Sequence, residues 1–60
     1  MTRYLAADVV SGIYNHEKVE GALGYKDFLA ALPTVAPGEI IFAEVSEEEA
    51  GKLDDEYGIN

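Results

Sequence analysis

Sixty residues allow one domain, whose core supplies only a few kcal/mol, so a partner or self-association would help this chain. Twelve acids against four bases give a net charge of -8, which repels nucleic acid and anionic membrane and speeds encounter with a basic protein surface. The absence of cysteine excludes a disulfide framework and a thiolate metal site, and an apolar content of 48% excludes a disordered acidic tail.

The first segment, residues 3–14, has two readings. Plotted at 100° per residue, Leu5, Ala6, Ala7, Val9, Val10, Ile13 and Tyr14 cover one arc, and Asp8, Ser11, Gly12 and Asn15 fall opposite. That pattern favours an amphipathic helix with Thr2 as N-cap. As a strand the segment alternates poorly, because Ala6, Asp8, Val10 and Gly12 would share a face. The strand reading stays open for another reason: a strand expected further on needs a hydrogen-bonding partner. That partner is this segment, the extended stretch His16 to Glu20, or the same strand in a second copy.

Asn15 to Gly24 reads as a connection broken by Gly21 and Gly24. Tyr25 to Leu32 reads as a short helix, since Tyr25, Phe28, Leu29 and Leu32 recur at helical spacing and Pro33 ends the run. Pro33 to Gly38 is a stiff turn.

Glu39 to Val45 is the expected strand, rich in β-branched and aromatic residues and preceded by the breakers Pro37 and Gly38. Ile40 and Phe42 point one way while Ile41, Ala43 and Val45 point the other, which suits a strand covered on both sides. Glu47 to Tyr57 is the expected closing helix. Ser46 can cap it, Glu49 stands where a capping box needs it, and Val45 with Ala50 fits a hydrophobic staple. Gly58 suits the left-handed position after the last turn, with Ile59 folding back on Leu53. Ala50, Leu53 and Tyr57 form a narrow buried stripe. Asp54, Asp55 and Glu56 occupy the last turn, where the helix dipole disfavours each by about 0.3–1 kcal/mol. Such a local rule broken without compensation nearby marks a place to look for function.

The fold class is therefore α+β: a small single domain spanning residues 1–60. It has two helices in the first half, the first alternatively a strand, then one strand near 39–45 and an acidic helix near 47–57.

No motif for catalysis or a cofactor appears. His16 is the only imidazole, and adjacency to Glu17 in sequence does not orient a general base. Ser11 lacks the flanks of a nucleophile elbow. Consecutive acids on a helix diverge by 100° and do not converge on one ion, so Asp54, Asp55 and Glu56 make no metal site. The expectation is a non-enzymatic protein with no cofactor and no metal.

Charge is unevenly spread. Residues 1–38 carry four acids and three bases, whereas residues 39–60 carry eight acids and one base. Glu47, Glu48 and Glu49 precede Asp54, Asp55 and Glu56 by one heptad, placing two clusters about 10 Å apart along one helix. That is of the order of one to two phosphate spacings, with Glu39 and Glu44 nearby. The expected contact residues are Glu47, Glu48, Asp54, Asp55 and Glu56. Tyr57 or Tyr4 would serve as an aromatic anchor, the latter exposed on the polar arc of the helical reading.

In this charge distribution the chain resembles, as a type, the small acidic cysteine-free inhibitors of host defence made by phages and mobile elements, such as anti-CRISPR and antirestriction proteins. The resemblance implies a nucleic-acid mimic that occupies the positively charged site of a nucleic-acid-binding protein or complex. Direct contact with nucleic acid or membrane is not expected. No basic and apolar leader or apolar run of ~20 residues is present, so the expected location is the cytoplasm, that of the host cell for a phage-encoded chain. The alternative is a structural or assembly subunit, or an antitoxin-like module, that recognises protein through apolar surface. A homodimer through the strand edge is also compatible with the missing partner strand.

Overall fold

The computed structural model describes residues 1–60. Three strands, β1 (Thr2–Asp8), β2 (Gly12–Asn15) and β3 (Ile40–Ser46), form one antiparallel sheet in the order β2-β1-β3. Between β2 and β3 lies α1 (Tyr25–Ala31), which tightens into a 3₁₀ turn at Leu32–Thr34 that holds Pro33. The closing helix, α2 (Glu47–Tyr57), follows β3 without a loop.

The helical reading of the first segment is overturned: residues 2–15 are the β1–β2 hairpin. Its turn is built by Asp8, whose carboxylate accepts from the amides of Val10 (2.9 Å) and Ser11 (2.6 Å), and by Gly12 at φ +72°. Asp8, Ser11 and Gly12, which looked like the polar face of a helix, are the chemistry of a hairpin turn. β1 is the central strand, paired on both sides, so it supplies the partner that β3 needed.

Both helices lie on one face of the sheet. Phe28 of α1 and Ala50 and Leu53 of α2 pack with Leu5, Ala7, Ile13, Ala43 and Val45 in one core. Leu5, Phe28 and Leu53 are fully buried in it. The opposite face carries Tyr4, Ala6 and Asp8 of β1, Tyr14 of β2, and Ile40, Phe42 and Glu44 of β3, by strand alternation and register. No helix covers that face, contrary to the expectation that β3 is covered on both sides. Phe42 is only half-buried and Ile40 is 48% exposed. Ala6 is nonetheless fully buried. Its strand neighbours Tyr14 and Phe42 flank it, and the His16 ring reaches Phe42 at 5.0 Å and Tyr14 at 6.4 Å between centroids.

β3 and α2 follow the reading from sequence to within one residue. Ser46 Oγ accepts from the Glu49 amide at 3.1 Å, and Glu49 Oε1 accepts from the Ser46 amide at 2.9 Å, which completes the capping box. The Glu47 amide donates to the Met1 carbonyl at 3.0 Å, tying the start of α2 to the start of β1. At the other end Gly58 has φ +80°, and its amide donates to the carbonyl of Asp54.

Both sheet edges carry bonds from elsewhere in the chain. At β3, Leu23 donates to the Phe42 carbonyl and accepts from the Glu44 amide, at 2.8 and 2.9 Å. At β2, Ile59 bridges to Ile13, and the Asn60 amide donates to the Ile13 carbonyl at 2.9 Å. Backbone groups that a second copy would use at these points are already bonded.

Candidate functional site

The expected contact residues stand on α2, except Tyr4, which is in β1. Glu47, Glu48, Asp54, Asp55 and Glu56 are all exposed, as is Lys52, the one base of the helix. The placement follows from the pattern: Ala50 and Leu53 bury one side, and the capping box fixes the first turn, so the remaining circumference faces water.

At 3.6 residues per turn, the heptad pairs form three stripes rather than one. Glu48 and Asp55 lie opposite the buried side. Glu49 and Glu56 lie on one flank, and Glu47 and Asp54 on the other, toward β1 and β2. The second flank is the engaged one. Glu47 approaches Arg3 at 4.0 Å, the single ion pair of the molecule, and Arg3 also donates to Asn15. Asp54 Oδ1 accepts from the Ile59 amide at 2.9 Å. Glu49 is spent on the capping box. Glu48, Asp55 and Glu56 have no partner within the molecule and are the free carboxylates of α2, as Glu17, Glu20, Asp27 and Glu44 are elsewhere on the surface.

Asp54 explains part of the broken dipole rule. Its carboxylate takes the place of the second backbone bond of a Schellman closure and directs Ile59 onto Ile13. Gly58 has a positive φ but, at ψ 137°, not the left-handed helical conformation expected of it, and Ile59 packs against the core. Asp55 and Glu56 remain without such an explanation.

The other expected residues are dispersed. Tyr4 is half-buried in β1, opposite Glu44 on the sheet face away from α2, rather than exposed on a helix. One flat partner surface cannot cover both Tyr4 and the α2 acids. Glu44 shares Tyr4's face, and Glu39 accepts from the Ala36 amide at 2.9 Å, bracing the turn before β3. Tyr57 is 54% exposed, so it ends the buried stripe rather than filling it. It borders an open cavity of about 410 Å³ with Ala7, Ile13, Leu32 and Pro33. Of the two aromatic candidates, only Tyr57 belongs to the acidic helix.

His16 continues the sheet ladder, its amide donating to the Tyr4 carbonyl at 2.9 Å, while Nδ1 lies 3.0 Å from the Glu17 carbonyl oxygen. Its exposed ring lies beside those of Phe42 and Tyr14. Asp8 is held below the ordinary carboxylate range by the amide hydrogen bond from Ser11, and the Val10 amide adds to this. Tyr14 is pushed above its ordinary value, first by desolvation and then by the charge of Asp8. No group of acids and histidines converges as metal ligands would, and no helix is long and apolar enough to cross a membrane.

The sequence reading missed one set of exposed residues: Val9 (56%), Val10 (95%) and Ile40 (48%) at the hairpin end. The signal was present in Asp8-Val9-Val10-Ser11-Gly12, a turn pattern whose two central positions are apolar.

No protein-family model matches the chain, and no curated protein or solved structure matches it at a significant level.

Proposed function

We propose that this protein is a non-enzymatic inhibitor that docks the acidic side of α2 into the positively charged site of a nucleic-acid-binding protein or complex and so excludes nucleic acid. The observation that carries this reading is the set Glu48, Asp55 and Glu56, exposed and unpaired on a helix whose orientation is fixed at both ends. Carboxylates on a pre-ordered helix meet a basic groove without the cost of ordering the backbone, and their attraction accelerates encounter. Asp54 and Glu47 contribute field but have structural partners, and Tyr57 supplies an aromatic edge to the same helix. Anti-CRISPR and antirestriction inhibitors are the type of protein this reading describes, acting in the cytoplasm of a host cell.

The test is displacement of labelled duplex DNA from purified guide-RNA effector complexes and restriction enzymes, followed by fluorescence anisotropy. The reading expects displacement from at least one of them by the wild-type chain, and none by the Glu48→Lys, Asp55→Lys, Glu56→Lys variant. Equal displacement by both chains contradicts it, as does none by either.

A second reading, a protein-interaction module of the assembly or antitoxin-like kind, is favoured by the apolar hairpin end. Binding through that surface should respond to salt far less than docking through α2, which should weaken steeply as salt rises.

A further inference from the structure

The exposed apolar residues of this molecule are gathered rather than scattered. Apart from Met1, the large hydrophobic side chains that face water are Val9, Val10, Ile40 and Tyr57. Val9, Val10 and Ile40 line one hollow of about 290 Å³ between the hairpin turn and the Pro37–Glu39 turn. Tyr57 borders the neighbouring cavity, and Asp8 is a wall of both.

This exposure is built into the fold. The turn is pinned by the two bonds to the Asp8 carboxylate and by Gly12, whose positive φ disfavours any other residue. Asn60 Nδ2 donates to the Ser11 carbonyl from the opposite end of the chain. A hairpin turn ordinarily carries polar residues at its tip, because nothing buries them. Here two valines project from a braced support, which is the form of a preorganised docking point.

Charge selects the occupant. The charged residues lining the two cavities are Asp8 and Glu39, with no lysine or arginine among them. An anionic bilayer is repelled by this rim, and a second copy of the same end would bring like charges together. A protein segment that offers apolar side chains flanked by lysine or arginine covers the valines and meets the charge of Asp8 and Glu39, whose carboxylates also hold the Val10, Ser11 and Ala36 amides.

We infer that the β1–β2 hairpin end, centred on Val9, Val10 and Ile40, is a docking knob, with its adjoining hollow, for a protein segment that combines apolar side chains with lysine or arginine. The knob rests on the second reading above, the protein-interaction module, and uses none of the α2 carboxylates, so its failure can be told apart from that of the decoy reading.

The test is selection of random peptides on phage against the immobilised full chain, then isothermal titration of the synthesised winners. Wild type is compared with Val9→Thr, Val10→Ser and with Glu48→Lys, Asp55→Lys, Glu56→Lys, each verified as folded by thermal melting. The knob predicts enriched peptides that combine apolar residues with lysine or arginine, and at least a tenfold loss of affinity in the valine variant. Peptides that lose binding only in the α2 variant overturn the knob and leave the decoy reading standing. Peptides indifferent to the α2 variant but lost with the valines support the knob alone. The inference is overturned by no enrichment, by winners without basic residues, by wild-type dimers in sedimentation that the valine variant abolishes, or by binding to zwitterionic vesicles.

Discussion

Asp54 and Ile59 are joined by a hydrogen bond of 2.9 Å from the Ile59 amide to Oδ1 of Asp54, and this contact turns the chain from the end of α2 onto the free edge of β2. A carboxylate in the last turn of a helix is disfavoured by the dipole. Here it satisfies an amide that would otherwise end the helix unpaired, and it closes the sheet edge.

Asp54→Ala should therefore destabilise the fold, by about 0.5–1.5 kcal/mol, the usual net worth of one hydrogen bond. Amide exchange at Ile59 and Asn60 should accelerate before the rest of the molecule responds. Asp55→Ala, lacking any such partner, should leave stability unchanged or slightly raised, because one unfavourable charge leaves the helix terminus. Equal loss in both variants would remove the distinction drawn between these neighbours.

Ser46→Ala should cost about 1 kcal/mol by removing the cap of α2. For a domain of this size that lowers the melting temperature by roughly 4–8 °C. A melt within 1 °C of wild type, on the order of the smallest resolvable shift, would mean the capping box adds nothing beyond packing.

Leu53→Ala should be far more severe. Leu53 is fully buried between α2 and the sheet, and such truncations cost about 2–5 kcal/mol. A 60-residue chain without disulfides has little more than that in total, so circular dichroism should report a largely unfolded variant at room temperature.

Asp8 and Tyr14 set the pH limits of the hairpin. A carboxyl group whose folded pKa lies below its ordinary 3.8 adds stability above that value, lost as pH falls through the folded pKa. A phenol raised above its ordinary 10.0 adds stability below that value, lost as pH rises through the folded pKa. Asp8→Asn keeps an acceptor for the turn amides but has no charge, so it should flatten the acid limb and lower the Tyr14 pKa toward the ordinary value. Melting curves from pH 2 to 7, a range on the order of the carboxylate titration, and absorbance titration of the phenols check both.

The second half of the fold was legible in the sequence because each signal there has a local cause. Ser46 and Glu49 cap, Gly58 turns, and Ile41, Ala43 and Val45 alternate. The short helix α1 was legible too, from the spacing of Tyr25, Phe28 and Leu29 and the stop at Pro33, but the first segment was misread because β1 is central. Leu5 and Ala7 are buried under the helices while Ala6 is buried under aromatic rings on the other face, so alternation is masked and three consecutive apolar residues imitate a helix. The local turn pattern from Asp8 to Gly12 and the pairing of residues 2–8 with β3, a contact remote in sequence, separate the two readings.

The candidate site was legible as composition but not as geometry. The exposure of Glu48, Asp55 and Glu56 follows from the helix period. The partners of Glu47 and Asp54, and Tyr4's place on the opposite face, depend on tertiary folding that periodicity does not report.

The most direct measurement is the salt dependence of binding between the chain and a nucleic-acid-binding protein it displaces from DNA, compared with the Glu48→Lys, Asp55→Lys, Glu56→Lys variant. The account predicts affinity that falls steeply from about 50 to 500 mM salt, a range in which the Debye length shrinks severalfold, and no measurable binding by the variant. Affinity that is flat across that range and equal in the two chains would contradict it.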